Sequence, residues 1–329
     1  MVHVLLTGGN GFIASHVLDV LLNDGSNHSV TITVRTKAKG DQVLARYDAS
    51  LREKIAVAVI PDFTTPDAFD ECLESGAFDA IIHVASPFYY SATDIQQELL
   101  DPSIVGTKSL LQAASRYSSI KTVVLTSSFA AILDSYKPNN IPEHTYTERD
   151  WNPLTEADAF KNTLNGYRAS KLFAERAAWE FVDSQHPSFS LVTICPTLCF
   201  GPVIQPLSSL DSINTSSQRI YNFISGAFKA QIPDTGASFF PPGLTNRRYL
   251  LTEGYFTNKE ICSIITNRFP EYRPVLPGCE DNAGGFPDGG VYKFENKRAT
   301  EELSLSYRNL EESISDTVRS LQALQKRIA

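Results

Sequence analysis

The sequence predicts an α/β fold, with a doubly wound parallel sheet followed by a smaller C-terminal lobe. Short apolar runs rich in Val and Ile recur in the first half of the chain, and helix-patterned stretches separate them. Strands that are apolar along their whole length are typical of parallel sheets covered by helices on both faces. The length of 329 residues also exceeds what one hydrophobic core usually holds. We therefore expect a first domain over 1–197 and a second lobe over 198–329.

The predicted elements alternate in order along the chain. The predicted strands cover 3–6, 30–34, 55–60, 80–84, 122–125 and 191–194. The predicted helices cover 13–24, 41–52, 66–75, 94–117 and 167–183. Beyond residue 197 the rhythm breaks into segments rich in Pro, Gly and Ser. A strand near 248–252 is nevertheless expected to join the first sheet, and an amphipathic helix follows Asn309.

Composition and charge exclude several classes of function. The net charge is −8 and no long run of Lys and Arg occurs, so we expect no nucleic-acid partner. The apolar runs have the length of strands, so we expect neither a membrane span nor a signal peptide and place the protein in the cytoplasm. The five cysteines are then expected to be reduced thiols, and their spacing does not indicate a metal site.

A glycine-rich turn joins the first predicted strand to the first predicted helix. Gly9, Gly11 and Ala14 fit the pattern G-x-G-x-x-A, and Gly8 adds an overlapping glycine spacing. Glycine lets the backbone approach a pyrophosphate, which the N–H groups at a helix N-terminus then bind. A bare tight turn is the alternative interpretation. The position at the first strand–helix junction favours a dinucleotide-binding fold of the Rossmann type.

The end of the second strand indicates which dinucleotide binds. A site for NAD carries Asp or Glu there to bind the ribose hydroxyls, whereas this strand is followed by Arg35 and then by Lys39. The planar guanidinium of Arg35 matches the geometry of a 2′-phosphate, and Lys39 adds a point charge. A solvated basic loop is the alternative, but it does not explain the missing acidic residue. We therefore predict NADPH/NADP+ as the cofactor.

Three residues carry groups suited to proton transfer. Tyr167 and Lys171 are four residues apart, so they lie on one face of the helix that precedes the last predicted strand. An adjacent cation lowers the pKa of a phenol toward the working range of a general acid. Ser128 ends a predicted strand at the carboxyl edge of the sheet, where open α/β folds bind ligands. Taken singly, Tyr167 and Lys171 would indicate a solvated helix face and Ser128 a strand cap. Their combination at these positions favours the chemical role.

Longer motifs around these residues resemble the extended short-chain dehydrogenase/reductases. They are TGGNGFIASH at 7–16, HVASPF at 83–88, VVLTSSFAAI at 123–132, WNPLT at 151–155, YRASKLFAERAAWEF at 167–181 and PTLCFGP at 196–202. Within this family they are similar to dihydroflavonol reductases, cinnamoyl-CoA reductases and, most of all, NADPH-dependent methylglyoxal (isovaleraldehyde) reductases. The resemblance covers nearly the whole chain and implies the NADPH-dependent reduction of a small-molecule aldehyde or ketone. It does not indicate the oligomeric state.

The resemblance also implies a role for each matching residue. It makes Tyr167 the proton donor, Lys171 the residue that binds the nicotinamide ribose, and Ser128 the hydrogen-bond donor to the carbonyl. The implied cofactor contacts are Gly8, Gly11, Phe12 and Ile13 for the pyrophosphate, Arg35 and Lys39 for the 2′-phosphate, Asp62 for the adenine, Ala85 and Ser86 for the adenine ribose side, and Pro196 for the nicotinamide. The implied substrate contacts are Phe88, Phe129 and Leu198.

One segment departs from the family pattern. Members normally carry a strand and a helix with a motif like V-D-V-R-D-V-A between the counterparts of Phe240 and Asn246. This chain lacks that segment. Two alternatives to a reductase stay open: the first would use the same residues, and only the second is suggested by the departure. One is an alcohol or 3β-hydroxysteroid-type dehydrogenase that works in the oxidative direction. The other is a catalytically impaired dinucleotide-binding protein.

Overall fold

Strands and helices alternate along the first half of the chain, as the apolar runs predict. The computed structural model describes residues 2–87, 92–138, 143–232, 236–239, 247–278 and 284–328. The strands are β1 His3–Thr7, β2 Ser29–Val34, β3 Ile55–Val59, β4 Ala80–His83, β5 Thr122–Thr126, β6 Thr145–Tyr146, β7 Ser190–Pro196, β8 Gly236–Phe239, β9 Arg248–Leu251, β10 Gly254–Thr257 and β11 Lys293–Phe294. The α-helices are α1 Phe12–Asn23, α2 Lys37–Leu44, α3 Ala49–Arg52, α4 Asp70–Ser75, α5 Asp101–Ala114, α6 Glu156–Ala159, α7 Thr163–Gln185, α8 Thr215–Ile224, α9 Asn258–Arg268, α10 Lys297–Glu302 and α11 Leu310–Ile328.

Seven of the strands form one parallel sheet in the order β3-β2-β1-β4-β5-β7-β9. This arrangement confirms the predicted doubly wound α/β class. The strand order reverses between β1 and β4, and such a point opens a crevice at the carboxyl ends of the strands. The strand near 248–252 lies in this sheet as β9, where Arg248 pairs with Thr193 of β7. The division of the chain into domains over 1–197 and 198–329 stays a prediction.

Helices cover both faces of the sheet because its strands are apolar on both sides. Leu5 packs with Ile81 and Val123 in the core cluster on one face, whereas Leu6 and Ile32 belong to the cluster on the other face. Leu5 and Leu6 are both completely buried. Burying one such side chain contributes about 1.5–3 kcal/mol, so the alternating contacts of β1 bind both helix layers to the sheet.

A separate apolar cluster is formed by residues of the C-terminal part of the chain, from Phe200 onward. Helices α8, α9 and α11 contribute to it through Ile220, Ile261 and Ile314, and β10 contributes Phe256. All four side chains are completely buried. The helix predicted to follow Asn309 is therefore present as α11, and its apolar face closes this core.

Side-chain caps set helix boundaries that the periodicity did not predict. The predicted helix over 41–52 is divided into α2 and α3, because Thr36 caps α2 and Asp48 caps α3. Each cap side chain accepts a hydrogen bond from a first-turn N–H group, which satisfies a donor that the helix itself leaves free. Helix α7 likewise begins before residue 167, because Asn162 accepts from Asn165 N at 2.9 Å. This earlier start gives Tyr167 a full helical turn on its N-terminal side.

The cysteines correct one expectation. Cys72, Cys195 and Cys199 are free, but Cys262 is disulfide-bonded, so the expectation that all thiols are reduced was wrong. Pairing depends on distance in the folded chain, which sequence spacing does not reveal.

Within the described ranges, no helix has both the length and the apolarity to cross a bilayer. The predicted departure over 240–246 lies outside the described residues.

Candidate active site

A cavity of about 610 Å³ opens at the carboxyl ends of β1, β2, β4, β5 and β7. It lies at the crevice where the strand order reverses. Most of the residues implied by the family resemblance line it, namely Gly8, Gly11, Phe12, Ile13, Arg35, Lys39, Ala85, Ser86, Ser128, Phe129, Tyr167, Lys171, Pro196 and Leu198. Residues from six separate stretches of sequence therefore meet around one space.

The glycine-rich turn packs so closely that side chains would not fit. Gly8 adopts a φ of +70°, and an added Cβ would lie 3.1 Å from the Cα of Ala85. An added Cβ at Gly9 would lie 2.6 Å from the Cβ of Ile32, which holds the turn against β2. Gly11 precedes α1 and offers no side chain to cap it. The backbone and the N-terminus of α1 therefore border the cavity, in the arrangement that binds phosphates.

Basic residues lie at the end of the cavity next to β2. Arg35 follows β2 directly, and Lys39 lies in the first turn of α2. Thr33, at the end of β2, accepts a hydrogen bond from Gly8 N at 3.2 Å, which ties the basic end to the glycine-rich turn. The positive end of the α2 dipole adds to the two side-chain charges. This end of the cavity suits a phosphate monoester.

One of the predicted contacts does not line the described part of the cavity. Asp62 is not among the lining residues, and its carboxylate instead accepts hydrogen bonds from the backbone N–H and the hydroxyl of Thr64. Those two hydrogen bonds lower the pKa of Asp62, with a smaller contribution from the charge of Arg35. Ile60 and Phe63 line the cavity on either side of Asp62. Phe88 lies outside the described residues.

Ser128, Tyr167 and Lys171 meet near the middle of the cavity. Tyr167 Oη lies 3.5 Å from Ser128 Oγ, and the Tyr167 side chain is 8% exposed. Ser128 Oγ also accepts from Ala130 N at 3.1 Å, which leaves its hydroxyl proton available for donation into the cavity. Lys171 lies one turn further along α7 and donates to the carbonyl of Thr126 at 3.3 Å. The strand end Thr126–Ser128 therefore contacts both Tyr167 and Lys171 of α7.

The electrostatics of Lys171 follow from its burial. Burial lowers the pKa of Lys171 to about 8, although nearby negative charge, including that of Glu175, acts in the opposite direction. His83 and Lys171 line the same small cavity. Burial is the main cause that lowers the pKa of His83 to about 3, and the charge of Lys171 is the second cause. The His83 ring is therefore neutral at pH 7 and adds no positive charge beside Lys171.

The part of the cavity beyond Ser128 is apolar and aromatic. Phe129 and Leu198, the predicted substrate contacts, are among its lining residues, and so are Leu133 and Tyr292, which the sequence reasoning missed. The ring centroids of Phe129 and Tyr292 are 5.5 Å apart, and Tyr292 is 4% exposed. Tyr292 follows a glycine-rich stretch more than 120 residues after Tyr167, so no local pattern connects it with the site.

Helix α8 contributes polar residues that the sequence reasoning also missed. Asn214, Ser216 and Arg219 line the cavity from the first turns of α8. Asn214 Oδ1 is buried and has no hydrogen-bond partner among the described residues. The sequence Asn-Thr-Ser is a helix-start signal, and this signal would have located the helix although not its contact with the cavity.

The family of this protein is established by comparison with known sequences. The pattern of the NAD dependent epimerase/dehydratase family matches residues 4–229, so the chain belongs to that family. Ketoreductase azaE of Aspergillus niger is 36% identical to the chain over 336 residues, with 97% of each protein covered. NADPH-dependent methylglyoxal reductase GRE2 of Saccharomyces cerevisiae is 29% identical over 345 residues, with 99% of each covered.

The fold agrees with these relationships. The crystal structure of yeast methylglyoxal/isovaleraldehyde reductase Gre2 complexed with NADPH superposes with a TM-score of 0.90 at 28% identity. It covers 99% of this chain and 100% of that chain. The resemblance to methylglyoxal reductases that the motifs predict is therefore confirmed.

Proposed function

We propose that this protein reduces aldehydes or ketones to alcohols with NADPH as the hydride source. The observation that carries the proposal is the convergence of Tyr167, Ser128 and Lys171 in one cavity, with Tyr167 Oη 3.5 Å from Ser128 Oγ. These groups form a hydroxyl pair and a cation, which suit the polarisation and protonation of a carbonyl oxygen. Relatives named as ketoreductase and as methylglyoxal reductase support the same reaction class.

The cavity has the features that NADPH requires. Gly8 packs against Ala85 with no room for a Cβ, so the bare backbone of the turn borders the cavity, as the binding of a pyrophosphate requires. Asn214 Oδ1 offers a buried polar atom without a partner among the described residues. Arg35 and Lys39 would hold the 2′-phosphate. When bound, NADPH supplies the hydride that adds to the carbonyl carbon.

Each of the three central residues has one role in the proposed mechanism. The hydroxyl of Ser128 donates a hydrogen bond to the carbonyl oxygen and stabilises the charge that develops on it. The phenol of Tyr167 then gives its proton to that oxygen, which completes the alcohol and leaves a phenolate. The ammonium of Lys171 stabilises the phenolate through its charge and would also bind the nicotinamide ribose.

A panel of substrates tests the proposal. We expect turnover of NADPH with small aldehydes, diketones or ketoesters, because the space beyond Ser128 is apolar and bounded by Phe129 and Tyr292. The reverse assay uses NADP+ with secondary alcohols and sterols, and it tests the alternative of an oxidative dehydrogenase. NADPH binding without turnover in either direction would indicate a catalytically impaired dinucleotide-binding protein instead.

Reduction should weaken as the pH rises through the pKa of Lys171. Burial lowers that pKa to about 8, so the ammonium is charged below this value and becomes neutral above it. A neutral Lys171 no longer stabilises the Tyr167 phenolate, so kcat/KM for the carbonyl substrate at saturating NADPH should fall above about pH 8. We expect a limiting slope near −1 in log kcat/KM, as for one ionisation. A parallel titration of NADPH binding by fluorescence separates loss of cofactor from loss of chemistry, and a flat profile up to pH 10 would contradict the role of Lys171.

We also propose that the enzyme acts in the cytoplasm. The three free thiols of Cys72, Cys195 and Cys199 support a reducing compartment, whereas the disulfide at Cys262 does not. Fractionation of expressing cells with an antibody to the chain tests the location, and recovery in the secreted or membrane fraction would contradict it.

A further inference from the structure

A buried ion pair lies beneath the three central residues. Glu175 is one helical turn beyond Lys171 on α7, and Arg248 is the first residue of β9. The pair forms two parallel hydrogen bonds, Arg248 Nε to Glu175 Oε1 at 2.7 Å and Arg248 Nη2 to Glu175 Oε2 at 3.0 Å. The Glu175 side chain is 0% exposed and that of Arg248 is 7% exposed. Burial opposes ionisation of Glu175, but the charge of Arg248 and its hydrogen bonds outweigh burial and hold the pKa of Glu175 below its usual range.

The ion pair anchors the chain on both sides of Ser128. Ser127 Oγ donates to Glu175 Oε2 at 2.6 Å, so the residue before Ser128 is fixed to α7. Arg248 Nη2 donates to the carbonyl of Ala131 at 3.3 Å, so the turn after Ser128 is fixed to β9. The strand end and the turn that follows it therefore have one position relative to the helix that carries Tyr167.

The WNPLT motif strengthens the same anchor. The ring of Trp151 lies 3.6 Å from the guanidinium carbon of Arg248 and holds it in place. Asn152 donates from its side chain to the carbonyl of Ala130 at 2.8 Å and from its backbone to that of Ala131 at 2.9 Å. This motif is therefore explained by the turn next to Ser128 and does not require a contact with cofactor or substrate.

Stability alone does not account for the ion pair. Taking two charges out of water is costly, and well-packed apolar residues in their place are often neutral or stabilising. The hydrogen bonds of the pair include those to Ser127 and Ala131, the two residues on either side of the segment 128–130, and Arg248 also donates to the carbonyls of Glu148 and Asp150. Chemistry that depends on a transition-state geometry loses about 100-fold in rate for a misplacement of 1 Å. The anchor lies where such a displacement would arise.

We propose that Glu175 and Arg248 are positioning residues for carbonyl reduction, which fix the Thr126–Ser128 strand end to α7 so that Ser128, Tyr167 and Lys171 keep one geometry. The proposal rests on the proposed reductase function. Neither side chain is among the lining residues of the main cavity, so both act through other groups.

The ion pair of Glu175 and Arg248 also affects the electrostatic environment of Lys171. The groups that face Lys171 are His83 from β4, Cys195 from β7, Thr126 from β5, and Glu175 from its own helix. Burial lowers the pKa of His83 to about 3 and raises that of Cys195 to about 12, so both are neutral at pH 7. Glu175 is then the ionised partner near Lys171, and its charge raises the pKa of the ammonium. Removal of the pair should shift the loss of activity to lower pH.

Two variants of the full-length protein test the proposal. The double variant Glu175→Leu/Arg248→Met removes the pair without leaving a buried unpaired charge, which a single substitution would leave. Arg248→Lys keeps the charge but cannot form the bidentate contact or reach Ala131 at the same time. The control is the double variant Asp19→Leu/Arg46→Met, which removes a half-buried ion pair with a spacing of 3.2 Å between α1 and the segment after α2.

We expect both test variants to bind NADPH with a Kd within about threefold of wild type, while kcat falls at least tenfold. The double variant should also lose activity at lower pH than wild type, whereas Arg248→Lys should keep the wild-type midpoint. The control should keep kcat within about twofold. Active sites are counted by NADPH titration, so a smaller folded fraction is not mistaken for a lower kcat.

The proposal is overturned if kcat per NADPH-binding site in both variants matches wild type, whatever the pH profile of the double variant. If the double variant does not fold, Arg248→Lys decides alone, and wild-type kcat in that variant overturns the proposal. Absence of turnover in the wild-type protein would instead mean that the proposed function has failed, so the two failures are distinguishable.

Discussion

Tyr167→Phe should abolish carbonyl reduction while leaving NADPH binding intact. The substitution removes only the hydroxyl that lies 3.5 Å from Ser128 Oγ, and the buried ring that packs with Leu99 remains. A positioned general acid contributes about 10²–10⁴-fold to a rate, so kcat on a good aldehyde substrate should fall by roughly that factor. The measurement is steady-state turnover at saturating NADPH, together with the NADPH Kd from fluorescence quenching.

Tyr117→Phe is a matched control for this substitution. Tyr117 lies between α5 and β5, at the amino edge of the sheet and therefore opposite the cavity. The substitution Tyr117→Phe removes the same kind of hydroxyl at a position that does not line the cavity, so the kcat of this variant should equal that of wild type. If Tyr167→Phe retained near-wild-type turnover, another group would have to be the proton donor.

Lys171→Met should reduce both kcat and NADPH affinity, because the ammonium stabilises the phenolate and would bind the ribose.

The sequence predicted the sheet well because a strand that is buried on both faces must be apolar along its whole length. Leu5 faces one helix layer and Leu6 the other, so both must be apolar, and a continuous apolar run results. Helix boundaries were predicted less well because they depend on single side chains. Asp48 starts a new helix inside the stretch 41–52 by accepting from Leu51 N at 3.0 Å, and hydrophobic periodicity does not record that contact.

The candidate site likewise has residues that the sequence predicted and residues that it did not. Gly8, Arg35 and Tyr167 lie in motifs whose spacing carries the chemistry, and all three line the cavity. Tyr292 and Arg219 line it from the C-terminal part of the chain, and no spacing in the sequence connects them with the strand ends. Their proximity results from tertiary packing. The contact of Arg248 with Glu175 spans 73 residues and is of the same kind.

Arg35 is expected to determine the choice between NADPH and NADH. Its guanidinium lies at the cavity end next to β2, where a 2′-phosphate would bind and where the acidic residue of an NAD site is missing. A hydrogen bond to a charged group is worth about 1.5–3 kcal/mol. Arg35→Ala should therefore raise the NADPH Kd roughly 10- to 150-fold and change the NADH Kd little. The same substitution should increase kcat/KM for NADH relative to NADPH by a similar factor.

Lys37→Ala provides the control for Arg35→Ala, because it removes one positive charge two residues away. Lys37 pairs with Asp41 at 2.9 Å on the exposed face of α2, and it is not among the residues that line the cavity. Its loss should change the NADPH Kd by less than about twofold, since exposed ion pairs contribute little and long-range charge is screened by salt. Both Kd values are measured by fluorescence titration at 0.15 M salt. Equal wild-type affinities for NADPH and NADH, or equal effects of the two substitutions, would show that Arg35 does not read the 2′-phosphate.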